Sequence, residues 1–529
     1  MKLFSLFNFG PIRKFTSAAF VIGALSLISS LLGLIRDRVL ASCFGAGDTL
    51  DIYYAAFRLP DLVFNILIFG ALSSAFVPIF SSQLTKNKKQ AFEFAGTALN
   101  LVLIIILGVS LISLIFTPWL LKIIVPGFSG EKLKTTVELT RFMFLSPVFL
   151  SVSGIFSGVL TTFKKFLTYS LAPVMYNVGI IFGIFFFTPR WGIHGLAFAV
   201  IAGALLHMLI QLPGALASGF RFNLNFNFMN ESVKKISRLM LPRSLSLLVN
   251  QFNLLFITVI ASTLMAGSLA VFNLANNLAG IPLTIFGAPF AIAVFPDLAF
   301  LYNRNRMKKF TSTFSKAFTR ISFFVIPSAV IILVLRAQLV RLILGSGKFD
   351  WQDTTLTFQV LGFLALSLFF QSLIPLVSRT FFALHNTVIP FIAGLCAAVI
   401  NITLAFLLSR SMGVAGIALA FSASQAIYLI IMLVILYVKI GGLRDHEIIS
   451  SFLKISAASL ICGAVIQGTK HLSGHYLGTD TFLKIFIQTS SSSLLGISSF
   501  IFSAWYLGIR EVHLARKMFF NLFKGPHAR

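Results

Sequence analysis

The chain has 529 residues, of which 57% are hydrophobic and only 11% charged, with a mean hydropathy of +0.94. That composition excludes a soluble globular protein of this length, and no large hydrophilic domain separates the apolar runs. The net charge of +27 would suit a nucleic-acid binder, but the cations gather in alternate loops between apolar runs, so no nucleic-acid partner is expected.

About fourteen apolar segments are long enough to span a hydrocarbon core as helices. Their runs are continuous and do not alternate, which predicts an all-α polytopic membrane protein and not a barrel. Met1–Thr16 is basic and is followed by an uncharged stretch to about Ile35 with no small-residue cleavage site, so the first span, centred near Leu27, reads as uncleaved. It carries Ser26, Ser29, Ser30, Gly33, Arg36 and Asp37 as a small-polar stripe. The second span, near Ile66, places Asp51, Tyr54, Arg58, Asp61 and Asn65 at steps of three or four, on one helical face. Pro60 predicts a break or bend beside Arg58. Each charge at bilayer depth costs roughly 2.5–3.5 kcal/mol, so such residues line hydrated cavities and meet a substrate or each other. Arg38 and Asp48 read instead as interface anchors.

Spans near Ile106, Val152, Ile180 and Ala202 follow. The seventh, near Leu254, has Arg243, Ser246, Asn250 and Asn253 on one face, and the eighth, near Ile285, has Asn273, Asn276, Asn277, Gly280, Thr284 and Gly287. Further spans centre near Ile326, Leu366, Val399 and Leu429, with two more near Leu460 and Ile497. The polar stripes predict a hydrated cavity lined by the first, second, seventh and eighth spans. Small residues and Asn at such positions are also ordinary helix-packing groups; the insertion cost makes Arg36, Arg58 and Arg243 the stronger functional candidates.

Loops bearing Lys86, Lys88 and Lys89, Lys164 and Lys165, Arg304 to Lys309, and Arg510 onward alternate with poorer ones. Roughly twenty-four cations stand against roughly ten, which places both termini in the cytoplasm and requires an even number of spans. The chain also repeats itself at an offset of about 220 residues, as parallel-repeat transporters do. Ala41–Gly47 resembles Ala261–Gly267, Phe76–Pro78 resembles Val294–Pro296, and Gly192–Ala197 resembles Gly413–Ala418. The expected organisation is a six-helix lobe over Ser17–Ser218, a second over Lys235–Tyr437, and two additional helices within 448–509.

Cys43, Cys396 and Cys462 are far apart, the histidines are scattered, and no P-loop is present, so no metal, cofactor or direct ATP use is expected. No enzyme chemistry is evident.

The segment Gly33 to Asp37, then Phe44–Gly47, Asp51, Phe57–Pro60 and Gly70–Pro78, resembles the bacterial lipid II flippase family, MurJ (also called MviN). The resemblance continues through most of the chain. It implies the inverted-V fold of the multidrug/oligosaccharidyl-lipid/polysaccharide (MOP) exporter superfamily, with a cationic cavity and a polyprenyl-tail groove on the last two helices. The implied substrate-binding set is Arg36, Asp37, Asp51 and Arg58, joined by Arg243, Asn250 and Asn277 from the stripes. Where family members add arginines, this chain has Ser30, Phe64 and Asn277. The implied partner is lipid II, the undecaprenyl-pyrophosphate-linked peptidoglycan precursor, moved by a monomer among membrane lipids at the inner membrane. Arginine suits its pyrophosphate through paired N–H donors, with Asp37 and Asp51 neutralising the arginines when the site is empty. Coupling through the membrane potential, or through a proton or sodium ion at Asp37 or Asp51, is compatible with these residues. Other readings are an exporter of another lipid-linked oligosaccharide, polysaccharide or drug, a polytopic glycosyltransferase, and a non-transporting scaffold of the same fold.

Overall fold

The computed structural model describes residues 15–66, 76–223, 251–478 and 480–512, and they contain helices and no strand. In chain order the helices are α1 (Phe15–Phe44), α2 (Asp48–Phe64), α3 (Val77–Lys86), α4 (Lys88–Ile124), α5 (Gly130–Met143), α6 (Leu145–Thr162), α7 (Phe166–Trp191), α8 (His194–Leu209) and α9 (Leu212–Ala217). The short apolar helix α10 (Gln251–Ser262) follows. Then come α11 (Ser268–Ala279), α12 (Ala288–Asn303), α13 (Met307–Ile343), α14 (Trp351–Ala383), α15 (Val388–Met412), α16 (Val414–Ile440), α17 (Asp445–Leu477) and α18 (Phe482–Tyr506). Among the described residues, 11 spans are long and apolar enough to cross a membrane. The chain is a polytopic, all-α membrane protein. Two compact units divide it: Met1–Ala270 with Ser346–Phe349, and Val271–Gly345 with Asp350–Arg529.

The solvent for which this sequence is built shows on α4. Ser110, Ser113 and Thr117 are buried, while Leu107, Leu111, Ile115, Trp119 and Ile123 form an exposed row at steps of four. A water-facing helix would turn the other way. In lipid the apolar row needs no cover, and the small hydroxyl residues can pack or bond to their own helix, as Thr117 Oγ1 does to the Ser113 carbonyl at 2.6 Å.

In the first unit, Phe76 stacks on Phe80 and Phe94 with centroids 5.4 and 5.7 Å apart, in a core with Phe156, Val159 and Phe220. Helices α7 and α8 pack through small residues. A Cβ on Gly179 would stand 2.6 Å from the Gly203 Cα, and one on Gly183 would stand 2.5 Å from the Ala199 Cα. Helix α1 also packs on α7, which sets up the site below. In the second unit, α17 and α18 dock on α13 through Phe323 and Leu335, with Ile455, Cys462, Ile466 and Phe500.

The backbone recurs at the offset read from the sequence. Lys164 and His385 both take left-handed conformations, φ 58° and 55°, and close the same kind of helix end: Lys165 N–H to Leu160 O and Asn386 N–H to Phe381 O, each 2.9 Å. Gly192 (φ 53°) and Gly413 (φ 58°) also correspond. Each donates 2.9 Å to a carbonyl four residues back, Thr188 or Ser409, and ends its helix. Three residues on, a Cβ at Gly195 would meet the Phe187 carbonyl carbon at 2.6 Å, and one at Gly416 the Leu408 carbonyl carbon at 2.5 Å. The recurring glycine pairs are thus a chain reversal followed by a close helix contact. Pro60 does not interrupt α2 as expected: the helix runs on to Phe64 and passes into a π-helical turn.

Adding only a methyl group tests the α7–α8 contact. Gly179→Ala is expected to lower the thermal midpoint of the purified protein, a cost of about 1–3 kcal/mol from overpacking. Gly108→Ala on α4, where a Cβ meets nothing within 4 Å, is expected to leave the midpoint unchanged or slightly raised in the same melt.

Candidate functional site

Arg36 leaves α1 toward α7 and is held on three sides. Its Nε and Nη2 both donate to Asp37 Oδ1, at 3.0 and 2.8 Å, and its Nη1 donates to Asn177 Oδ1 at 3.2 Å. The Arg36 side chain retains 21% of its accessible surface while that of Asp37 retains 2%. Asn177 is itself fixed, its Nδ2 donating to Ser29 O at 3.1 Å, Ser29 Oγ at 3.3 Å and Pro173 O at 3.2 Å. The pair is therefore prebuilt: burial of each charge is offset by the other, and the amide fixes the direction of the guanidinium. A guanidinium carries five N–H donors, so these bonds leave part of the fork for a ligand.

Helix α2 covers this pair with aromatic rings. Tyr53 and Tyr54 meet edge-on at 5.2 Å, and Tyr53 meets Phe57 at 5.1 Å. Tyr54 is buried within electrostatic range of Arg36, Asp37 and Arg58. Arg58, one turn further along α2, acts on Asp61 and Tyr54. Asp61 is accessible, but what it faces is a cavity of about 670 Å³ in the first unit, which Asn65, Tyr169, Tyr176 and His207 also line. A polar chain backs that cavity: Ser153 Oγ lies 2.7 Å from His207 Nδ1 and accepts from Gln211 Nε2 at 2.7 Å, while Ser157 Oγ donates to Gln211 Oε1 at 2.8 Å. Tyr176, which lines the cavity, is the residue next to Asn177, the partner of Arg36.

Asp51 lies elsewhere and is occupied. It is 2% exposed. Its Oδ2 accepts from Gly267 N–H at 2.8 Å and from Lys132 Nζ at 3.2 Å, and its Oδ1 accepts from Ala270 N–H at 2.9 Å. Lys132 also pairs with Asp48 and lies 3.9 Å over the Phe128 ring. The carboxylate thus closes the first backbone donors at the start of a helix, beside a lysine. Arg36 and Asp37 come together, while Arg58 lies further along α2; Asp51 is tied to Lys132 and the Gly267–Ala270 backbone. Arg243 and Asn250 lie outside the described residues. Asn277 is half-buried on α11. Ser30, where an arginine would be added, donates to its own helix at Ser26 O, 3.0 Å.

The described residues are thus helical and membrane-spanning, with an ion-paired arginine on one helix and a polar cavity in the same unit. The fold resembles that of a MATE family multidrug resistance transporter in an inward-facing conformation, with TM-score 0.67 and 18% identity over 81% of this chain and 99% of that one. It resembles the inward closed conformation of lipid II flippase MurJ more fully, with TM-score 0.76 and 26% identity over 92% of this chain and 98% of that one. The family model for lipid II flippase MurJ matches residues 40–488, and the chain belongs to that family. Relatives include the probable lipid II flippase MurJ of Rickettsia prowazekii (strain Madrid E), 30% identical over 66% of this chain and 69% of the relative. Another is the lipid II flippase MurJ of Burkholderia cenocepacia, 28% identical over 69% of this chain and 73% of the relative.

Asp51→Ala strands two N–H groups and a lysine. The expected result is a loss of about 1.5–3 kcal/mol in stability, read as a lower thermal midpoint. Lys132→Met, which leaves both backbone donors satisfied, is expected to cost less in the same measurement.

Proposed function

We propose that this protein is a lipid II flippase, carrying the undecaprenyl-pyrophosphate-linked precursor from the inner to the outer leaflet of the bacterial cytoplasmic membrane by alternating access. The substrate's headgroup is large, hydrophilic and anionic, so its unassisted passage through hydrocarbon is prohibitive. Family membership supports the substrate. The observation that carries the mechanism is Arg36, a guanidinium kept ionised on a membrane helix by Asp37, oriented by Asn177 and still partly accessible. Its remaining N–H groups suit a phosphate oxygen. When phosphate arrives it takes up charge that Asp37 balances in the empty site. Release then restores the internal pair.

Arg58 with Asp61 forms a second charged element of the same site, next to the cavity. Asp51, already engaged, supports the site through the Gly267–Ala270 backbone. Arg243, Asn250 and Asn277 complete the proposed binding set. The polyprenyl tail stays in the bilayer, against the apolar flank that α17 and α18 expose at Leu460, Leu494 and Phe502. Two six-helix lobes, Ser17–Ser218 and Lys235–Tyr437, with two additional helices within 448–509, are the organisation we propose for a monomer with both termini in the cytoplasm. No covalent step or cofactor is needed. The membrane potential supplies about 2.3 kcal/mol per charge per 100 mV, and it or a bound proton or sodium ion resets the carrier.

In a headgroup-accessibility assay on cells or proteoliposomes, Arg36→Ala is expected to lower precursor translocation at least tenfold, the loss of about 1.5–3 kcal/mol of charged hydrogen bonding. Asn177→Ala, which leaves the charge and removes its orientation, is expected to give a smaller loss. Wild-type translocation by a normally expressed Arg36→Ala protein would remove Arg36 from the mechanism.

A further inference from the structure

A second polar pocket, in the other unit, has no part in the site above. It has a volume of about 410 Å³ and lies where the start of α13, the start of α17 and the residues after α18 meet. Its cations are Lys316 and Arg320 of α13, Lys454 of α17 and Arg510. Ser315, Ser450 and Ser451 add hydroxyl groups to its lining, while the Thr319 hydroxyl donates to the Ser315 carbonyl at 3.0 Å. Two acids, Glu447 and Glu511, and His446 are also present. Glu447 is already paired, accepting from Arg444 Nη1 at 2.9 Å outside the pocket. Four cations against two acids leave the pocket with an excess of positive charge.

The place of the pocket matters as much as its charge. Its three strands of chain all end at the side bearing the basic loops Arg304 to Lys309 and Arg510 onward. Directly alongside, α17 exposes Ile449 and Leu453, and α18 exposes Trp505 and Tyr506. Trp and Tyr at a helix end mark the headgroup level of a bilayer. An anion held by the lysines would therefore have hydrocarbon-facing surface within one helical turn of it, which a free ion in water does not need and a lipid does. Cationic pockets between helices at the cytoplasmic rim are suited to phosphate-bearing headgroups, and hydroxyl groups at the lining can donate to phosphate oxygens.

We infer that this pocket binds the phosphodiester headgroup of an anionic phospholipid of the cytoplasmic leaflet, with its acyl chains starting along Ile449 and Leu453 of α17 and Trp505 and Tyr506 of α18, at the pocket end of these helices. The orientation rests on the cytoplasmic placement of the termini proposed above; the binding itself does not require that the protein move lipid II. An occupied pocket would tie α13, α17 and α18 together at their cytoplasmic ends.

The test uses the full-length protein purified in neutral detergent, titrated with short-chain phosphatidylglycerol, phosphatidylcholine and inorganic phosphate, and read by native mass spectrometry. Phosphatidylglycerol is expected to bind at least tenfold more tightly than phosphatidylcholine, with inorganic phosphate weaker than either, and the preference should shrink as salt rises. Lys316→Gln with Lys454→Gln is expected to abolish the preference while the protein stays monodisperse. Lys88→Gln with Lys89→Gln, an equal charge loss at exposed positions of the first unit, is expected to keep it. Arg510→Gln, beyond the end of α18, serves as the milder variant if the pair fails to fold, and is expected to weaken binding. Equal affinity for the two lipids, inorganic phosphate binding as tightly as phosphatidylglycerol, or an undiminished preference in the folded pocket variants would each overturn the assignment. Loss of translocation in Arg36→Ala with phosphatidylglycerol binding intact separates this site from the transport site.

Discussion

An arginine inside a bilayer is tolerated only when its charge is answered, and the N-terminal unit is arranged around that answer. Asp37 supplies the countercharge to Arg36 from the next residue of the same helix. Asn177, which could not neutralise anything, supplies direction from α7. The amide is in turn fixed by carbonyls on both helices, Ser29 O on α1 and Pro173 O on α7. One ion pair and the amide that orients it therefore join two helices, α1 and α7. The two charges offset each other's burial while the guanidinium keeps some exposure, and exchange of its partner for a phosphate is the step we propose for it.

The acids of the opening segment divide their work by surroundings rather than by sequence. Asp37 neutralises, Asp51 caps backbone donors and holds Lys132, and Asp61 faces the cavity. All three lie within a short stretch of sequence, yet their partners come from an adjacent residue, from more than 200 positions away (|i−j| = 216 for Gly267) and from the cavity wall. A family resemblance groups such residues as one motif, whereas the contacts separate them.

The helices and the repeat were readable from hydropathy and glycine spacing because bilayer span and chain reversal act locally. Gly192 and Gly413 mark the same turn for the same backbone reason, and the sequence match reflects it. The stripe of α2 was readable as a face, and Asp61 and Asn65 do line one cavity. What was not readable was partnership. Asn177 stands alone in an apolar helix, where a single amide looks like ordinary packing, and only the approach of α1 gives it a role. Lys132 sits on α5, far from the motif in sequence. His207, Gln211 and Ser153 form a network only because α6 and α8 are neighbours. Pro60 predicts a break or bend; α2 is not broken there and passes into a π-helical turn just beyond it.

On the proposed mechanism, this chain moves its lipid-linked precursor by way of the Arg36 pair. The most direct measurement is rescue of a strain depleted of its own lipid II flippase. The wild-type chain is predicted to restore growth and cell shape, with Arg36→Ala expressed to the same level failing to do so. Absence of rescue by a normally expressed, membrane-inserted wild-type chain would contradict the substrate, and equal rescue by both would contradict the site.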